Sequence, residues 1–365
     1  MNRFAKATFA FILLAVFYFP GKVRAEELPL FFEGIRPLGM GGAFTAVADD
    51  ENAIFYNPAG MNNIEGFGGV EILNPFVEVS RKTIDFFKDL QDVSDAPTDT
   101  EQAALASDLL QKWLGERLHL RAGAFPNLTF HNFGVGVLGQ GVFDGEVHNP
   151  LGADTLDLRG GYDLALLVSG AYGFSAMNSS FKIGLTGKMV NRSKLEQAYT
   201  TRELVEQDGI DLDRDLKKGS GFSVDFGAIY SAPVFLNPSL GLTVQNAVGG
   251  DLGDAGELQR QYNLGFALKP AIGFGTVTLA LDIMDLTRSA GEDDDLAKRL
   301  HAGVEYNFPM ILGVRTGLYQ GYPSYGATLD FRLMKVSYAS YAAEIGAFAG
   351  QRSDRRHVAQ VSLGF

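Results

Sequence analysis

Cysteine is absent from the 365 residues. That excludes a lipid-anchored lipoprotein and a disulfide scaffold, and it suits an oxidising compartment where stray thiols are a liability. Long hydrophobic runs are also missing. Beyond the first 25 residues no apolar stretch approaches 18, so no membrane-spanning helix is expected. A basic surplus is lacking too: 31 Lys and Arg stand against 43 Asp and Glu, a net charge of -12. Nucleic acid is thereby disfavoured as a partner, since it calls for a basic face; the acidic surplus reads as a solubility feature. If the chain enters a membrane without a helix, only a closed β-barrel can satisfy its backbone there.

What is present fits that route. Arg3 and Lys6 precede an uncharged apolar run of 13 residues, Ala7 to Phe19. Pro20-Gly21 breaks the run and Val23-Arg24-Ala25 offers a cleavage site, so residues 1–25 read as a signal peptide cut after Ala25. The 44 Gly, 28 Phe and 13 Tyr are the bias of many strands with aromatic girdles. At the other end Val361, Leu363 and Phe365 alternate onto one face of a last strand. That ending resembles the signal that the barrel-assembly machinery recognises, which makes this machinery, with outer-membrane lipid, an expected partner.

From residue 66 onward, alternating segments of about ten residues recur, the pattern of a membrane barrel. The clearest sets Tyr162, Leu164, Leu166 and Val168 against Asp163, Ala165, Leu167 and Ser169. Fourteen strands are predicted, near 66–80, 118–126, 129–143, 160–174, 180–196, 217–231, 238–249, 257–269, 272–286, 297–308, 311–320, 324–332, 334–344 and 355–365. Connections alternate between short, often Pro-bearing turns and mostly longer loops. Phe125-Pro126-Asn127-Leu128, Lys269-Pro270-Ala271 and Asn307-Phe308-Pro309 are read as turns; 81–117, 144–159, 197–216, 250–256, 287–296 and 345–354 are read as loops. An all-β transmembrane barrel with both termini on the periplasmic side is the expected fold.

Loop 81–117 reads as helical: Thr98 with Glu101 makes a capping box, and Leu105, Leu109 and Trp113 form a stripe. The stripe either packs on the rim or serves as a greasy docking surface. Glu292-Asp293-Asp294-Asp295 reads as a solvated tip, lacking the Gly and spacing of a calcium loop. Charges alternating inward are Asp163, Asp225, Asp282, Glu305 and Asp330 against Lys182, Lys188, Arg192, Arg299, Arg315 and Arg332. On the lipid face each Arg or Lys would cost about 2–4 kcal/mol at midplane, so they belong inside. A near-balanced set predicts a luminal polar network, with Arg299, His301, Glu305 and Arg315 its sharpest candidates.

Residues 26–65 precede the first strand and are predicted to be an N-terminal luminal plug, with the barrel from 66 to 365. Gly39, Gly41 and Gly42 permit compact folding, and Asn57-Pro58-Ala59-Gly60 has the residues of a type I turn. No Gly-Lys-Ser/Thr follows, so a phosphate loop is not indicated. The segment Gly39-Met40-Gly41-Gly42-Ala43-Phe44-Thr45-Ala46-Val47-Ala48-Asp49-Asp50, followed by Tyr56-Asn57-Pro58-Ala59-Gly60, resembles the opening of the FadL superfamily of outer-membrane transporters. The likeness is nearest to the PorV-like and TraF-like branch. It implies a 14-stranded barrel with a hatch inside, and carries gating roles to Asn57, Pro58, Ala59, Gly60, Asp49 and Asp50.

The expected function is passive uptake of a hydrophobic solute such as a long-chain fatty acid, with Phe44, Phe55 and Trp113 as candidates to face it. The alternative is a secretion-associated or structural barrel with no small-molecule cargo. The five histidines, His119, His131, His148, His301 and His357, form no recognisable Ser/His/acid pattern. No enzyme, cofactor or metal site is predicted.

Overall fold

The computed structural model describes residues 30–94, 97–98, 105, 108–109, 111–148, 155–176, 178–200, 215–288, 295–309 and 311–364. The expected signal peptide, the Glu101 of the capping box, most of the 292–295 acidic tip and the terminal Phe365 lie outside these residues.

Fourteen antiparallel strands close into one barrel. The first two are each interrupted: β1 comprises Phe67–Leu73 and Phe76–Ser80, and β2 comprises Arg117–Ala124 and Asn127–Phe130. Then follow β3 (Phe133–His148), β4 (Thr155–Ala176), β5 (Ser179–Thr200), β6 (Lys217–Ser231), β7 (Pro238–Gly249) and β8 (Gln261–Leu268). The wall is completed by β9 (Thr276–Ile283), β10 (Leu300–Asn307), β11 (Leu312–Tyr319), β12 (Tyr322–Asp330), β13 (Met334–Glu344) and β14 (Ser353–Gly364). Closure comes from β14 on both halves of β1, through Glu71 opposite Gly364 and Phe76 opposite Gln360. Among the described residues no strand of the wall is left without a neighbour on either side, which is what a barrel in lipid requires.

Alternation sorts the side chains as expected. Leu164, Leu166 and Val168 on β4, and Ile183, Leu185 and Met189 on β5, are exposed, while Ala165, Leu167, Thr186 and Lys188 are buried. Exposed aliphatic side chains recur on strand after strand as a belt no soluble surface would carry. This is an outer-membrane barrel.

Two features of the wall differ from expectation. Phe125-Pro126 is not a turn but a break inside β2; the turn follows at His131-Asn132, where Asn132 takes φ 70°. Proline cannot donate to the ladder, so a strand crossing it must break or bulge. Here Asn74, at the matching break in β1, repairs the gap: its Nδ2 donates to the Phe125 carbonyl and its Oδ1 accepts the Phe125 N–H, both at 2.6 Å. Second, β4 and β5 run 22 residues each, well past the predicted ends and past the belt. The β11–β12 connection at the long-loop end is Gln320-Gly321, close to the short 321–323 gap between the predicted strands, with φ 49° and 88°, the left-handed pair a two-residue hairpin demands. Arg332 also departs from the inward set. It is an exposed turn residue at φ 72°, and Asp330 beside it sits exposed at the rim.

Candidate functional site

Residues from about 30 to 64 fill the lumen. Helix α1 (Ile35–Gly39), helix α2 (Ala53–Tyr56) and a 3-10 helix (Pro58–Asn63) make a compact hatch. Met40, Phe44, Val47, Ile54 and Met61 are fully buried in it. The type I turn at Asn57 is formed, with the Gly60 N–H donating to the Asn57 carbonyl at 2.9 Å, and it continues as the 3-10 helix. Asn57 Oδ1 caps that helix by accepting the Ala59 N–H at 3.1 Å. Its Nδ2 donates to the carbonyls of Thr45 at 2.7 Å and of Ala228, on β6, at 3.2 Å. Asn57 therefore ties two parts of the hatch to each other and to the wall.

The wall receives the hatch with glycine. Gly134, Gly173, Gly184, Gly227, Gly241, Gly265, Gly303, Gly317 and Gly326 lie on β3 to β8 and β10 to β12. A Cβ on each would collide with the hatch: at Gly227 it would stand 2.8 Å from Pro58 Cδ, at Gly303 2.8 Å from Met40 C, at Gly326 2.9 Å from Gly39 Cα. The intervening strand β9 contributes Asp282 instead, whose Oδ2 accepts the backbone N–H groups of Phe44 at 2.8 Å and Thr45 at 2.7 Å. Backbone of the hatch thus lies directly on backbone of the wall. Carbonyls at the end of α2, which a helix leaves unpaired, are met by wall donors. Thr186 Oγ1 donates to the Ile54 carbonyl, Gln245 Nε2 to that of Phe55, and Thr243 Oγ1 to that of Tyr56, at 3.0, 2.7 and 2.9 Å.

Charge completes the seat. Arg36 grips Glu305 through two prongs, Nε to Oε1 at 2.8 Å and Nη2 to Oε2 at 2.6 Å. Its Nη1 reaches Asp49 at 2.6 Å and Asp50 at 2.8 Å. Burial raises the Asp49 carboxyl, but the charges of Arg36 and Lys269 outweigh it and hold the group down at about 2. Asp50 goes the other way: burial, then the neighbouring charge of Glu51, push it up to about 6 against the pull of Arg36.

The four residues expected to form one polar network divide into three contacts. Arg315 Nε donates to Glu305 Oε1 at 2.5 Å, joining Arg36. His301 bonds through Nδ1 to the Gly41 carbonyl at 2.5 Å, and Arg299 pairs with Asp285 at 2.9 Å. Two further inward pairs form, Arg192 with Asp163 at 2.7 Å and Lys188 with Asp225 at 2.8 Å, while Lys182 donates to Asn63 of the hatch. A further cluster escaped sequence reasoning. His119 lies between Asp144 at 2.7 Å and Glu78 at 2.8 Å, and Glu78 also takes Arg121 at 2.7 Å and the Tyr341 hydroxyl at 2.9 Å. These residues come from four strands, and no local pattern in the sequence brings them together.

Of the three aromatic candidates, Phe44 is wholly buried in the hatch, edge-on to Tyr56 at 5.5 Å. Trp113 is packed within the 81–116 loop against Phe86 at 5.6 Å, its indole N–H donated to Asp89 at 2.8 Å; helix α3 (Arg81–Ser94) supplies both partners. Phe55 is different. It joins Phe32 at 4.3 Å and Phe125 at 4.7 Å in an aromatic cluster, and Phe32 meets Phe76 at 6.0 Å. Gly136 on β3 makes room for the Phe125 ring. Phe32, Phe76 and Phe125 stand at the head of a crevice of about 410 Å3 between hatch and wall. Its other walls include Ile35, Arg36, Arg315 and Lys335, and it reaches Phe308, Ile311 and Asp330 at the short-turn rim.

Fold and site together define an outer-membrane β-barrel whose lumen is filled by an N-terminal segment of its own chain. No protein-family model and no curated protein matches the chain. Among solved structures it is similar to the Pseudomonas putida toluene transporter TodX, at 12% identity over 93% of this chain and 99% of that one, with a TM-score of 0.52. The CymD monoaromatic hydrocarbon channel aligns over 92% and 98% at 12% identity, with a TM-score of 0.45. At such identity the TodX likeness speaks for the fold alone.

Proposed function

We propose that the protein is a FadL-like passive transporter that takes up hydrophobic solutes, long-chain fatty acids among them, across the outer membrane. The observation that carries this reading is the aromatic cluster of Phe32, Phe55, Phe76 and Phe125 at the head of a crevice that leads along the hatch to the turn rim. Three of these rings, Phe32, Phe76 and Phe125, line the crevice and give its otherwise polar wall an apolar end, while Phe55 backs them. TodX, by its description a toluene transporter, supports the solute class. In this reading the chain is exported by a signal peptide cleaved after Ala25, is assembled through its last strand ending in Phe365, and keeps its short turns in the periplasm. The hatch elements Asn57, Pro58, Ala59, Gly60, Asp49 and Asp50 gate the crevice.

Uptake of radiolabelled oleate and of toluene into cells expressing the protein tests this. Both are expected to exceed the gene-deleted control and to fall when Asn57-Pro58-Ala59 is replaced by Gly-Gly-Gly; uptake unchanged by deletion would refute it. The close seat of the hatch on the glycine-lined wall favours a second reading, a PorV-like secretion-associated barrel with no small-molecule cargo. That reading expects a protein partner to copurify in mild detergent and neither solute to be taken up.

A further inference from the structure

The arginines inside the lumen come with an acid. Arg36, Arg121, Arg192, Arg299, Arg315 and Arg356 each hold a carboxylate. Arg81 and Arg355 differ in place and in company. Val77 and Val79 set the outward phase of β1, and Arg81, the first residue of α3, continues it. Ser80 pairs with Arg356 of β14, so Arg81 and Arg355 stand side by side on the outer wall. The Arg355 side chain crosses β13 over Ala342, which is buried, and its Nη1 donates to the Pro323 carbonyl of β12 at 2.8 Å. One row below, His357 stands opposite Ser340, with Tyr325 beyond it. With the Tyr338 hydroxyl donating to His357 Nδ1 at 2.8 Å, the ring hydrogen is on Nε2, a donor without a partner among the described residues.

Like charges side by side on one face of a sheet repel, and the chain supplies nothing to offset them. Among the described residues Arg81 makes no ion pair or hydrogen bond, and Arg355 none beyond the Pro323 carbonyl. Both charges bear on the His357 ring. The cluster is local: the outward phase of β7 to β12 carries no Lys, Arg or His. At about 3.3 Å per residue and a tilt of about 40°, Arg355 stands about 20 Å above Leu363 at the turn end, near the outer edge of an apolar band about 25 Å tall. Below the cluster Val77, Ala359 and Val361 are exposed apolar wall, and α3 exposes Ile84 and Phe87 beside it. An anion that carries hydrocarbon fits both parts of this surface.

We infer that Arg81, Arg355 and His357 form a phosphate site on the outer wall, and that its occupant is the phosphorylated glycolipid of the outer leaflet, lipopolysaccharide. A lipid A phosphate sits between the two guanidiniums, whose forks match its oxygens, and the acyl chains run down over Val77, Ala359 and Val361. The full-length barrel in mild detergent is titrated with lipid A and followed by native mass spectrometry, with heat-modifiable gel mobility as the check of folding. Arg81→Glu combined with Arg355→Glu is expected to weaken binding about tenfold or more. Arg81→Glu alone, at an exposed position that makes no hydrogen bond, leaves the fold untouched and should show part of that loss. Lys218→Glu, at an outward cation on β6 across the barrel, should change nothing. Equal binding by the native chain and both arginine variants would overturn the proposal. Equal binding of lipid A stripped of its phosphates, or of phosphatidylglycerol, would overturn it too, since the first lacks the anion and the second the sugar. Full competition by millimolar inorganic phosphate would make this a site for a free anion and would overturn the glycolipid as occupant.

Discussion

Arg36 of the hatch and Glu305 of β10 form a two-pronged ion pair, 2.8 and 2.6 Å long, with the Glu305 side chain wholly buried. The same guanidinium holds Asp49 and Asp50, so one side chain fixes both the entry and the middle of the hatch. Removing one partner of a buried pair strands the other, at a cost of about 3–5 kcal/mol. Arg36→Ala is therefore expected to unseat the hatch while leaving the barrel folded, because the ladder of the wall does not depend on it. Planar-bilayer recording should show larger and noisier conductance than the native protein. An unchanged, quiet trace would mean that the pair does not hold the hatch.

The glycines of the wall make a second, independent claim. Gly303→Ala would set a methyl 2.8 Å from Met40 C, a backbone atom that cannot step aside. Overpacking of this kind costs about 1–3 kcal/mol. Gly187→Ala is the control, since a Cβ there finds only Val168 O, at 4.0 Å. Limited proteolysis of the hatch should quicken in the first variant and not in the second.

Acidity should tighten the hatch before it loosens it. Asp50, raised to about 6, favours the seated state when protonated, so its contribution is full below its ordinary value of 3.8 and fades as pH rises through 6. Asp49, lowered to about 2, contributes above 3.8 and loses its contribution as pH falls towards 2. Of these two, only Asp50 changes between pH 4 and 6, and Glu51, which burial also raises, adds to the same slope. Labelling of a single cysteine placed in the hatch should accordingly slow as pH falls from 7 to 4 and quicken below that. Asp50→Asn should flatten the upper part of the profile, and a variant that keeps the full slope would assign it to another group.

The aromatic cluster should act as a selectivity element. Phe125→Ala removes the ring that meets Phe55 at 4.7 Å and joins the cavity to the crevice. Uptake of bulky apolar solutes is expected to rise relative to small ones in competition assays. A uniform change across solute sizes would mean that the ring is only packing.

Much of this was legible in the sequence. Strict alternation placed Leu164, Leu166 and Val168 outside and Ala165, Leu167 and Ser169 inside, because period 2 leaves no other choice once one face meets lipid. Asn57-Pro58 announced its turn through local chemistry. What failed needed register. Phe125-Pro126 looked like a turn because Pro commonly ends strands, and nothing local tells a break from a bend; Asn74, which bridges it, is 51 residues away. The His119 cluster and the three-way division of the supposed network are cross-strand facts, as Glu78 lies opposite Arg121 only once β1 and β2 are paired. For Trp113 the helical stripe left packing and docking both open, because a stripe gives direction but not what it meets; the ring packs on Phe86.

The glycine ring has a consequence for what the barrel is without its hatch. A small barrel normally fills its own interior with side chains. Here nine strands carry none at that level, and the hatch supplies the missing volume. Cutting residues 30–64 from the chain should therefore leave a hollow tube rather than a collapsed one. The scaffold is then a ready-made nanopore whose bore, at the level of the glycines, is set by backbone and the Asp282 side chain. It also follows that the two parts cannot drift apart in evolution: a larger residue on either side of the contact leaves the other nowhere to go.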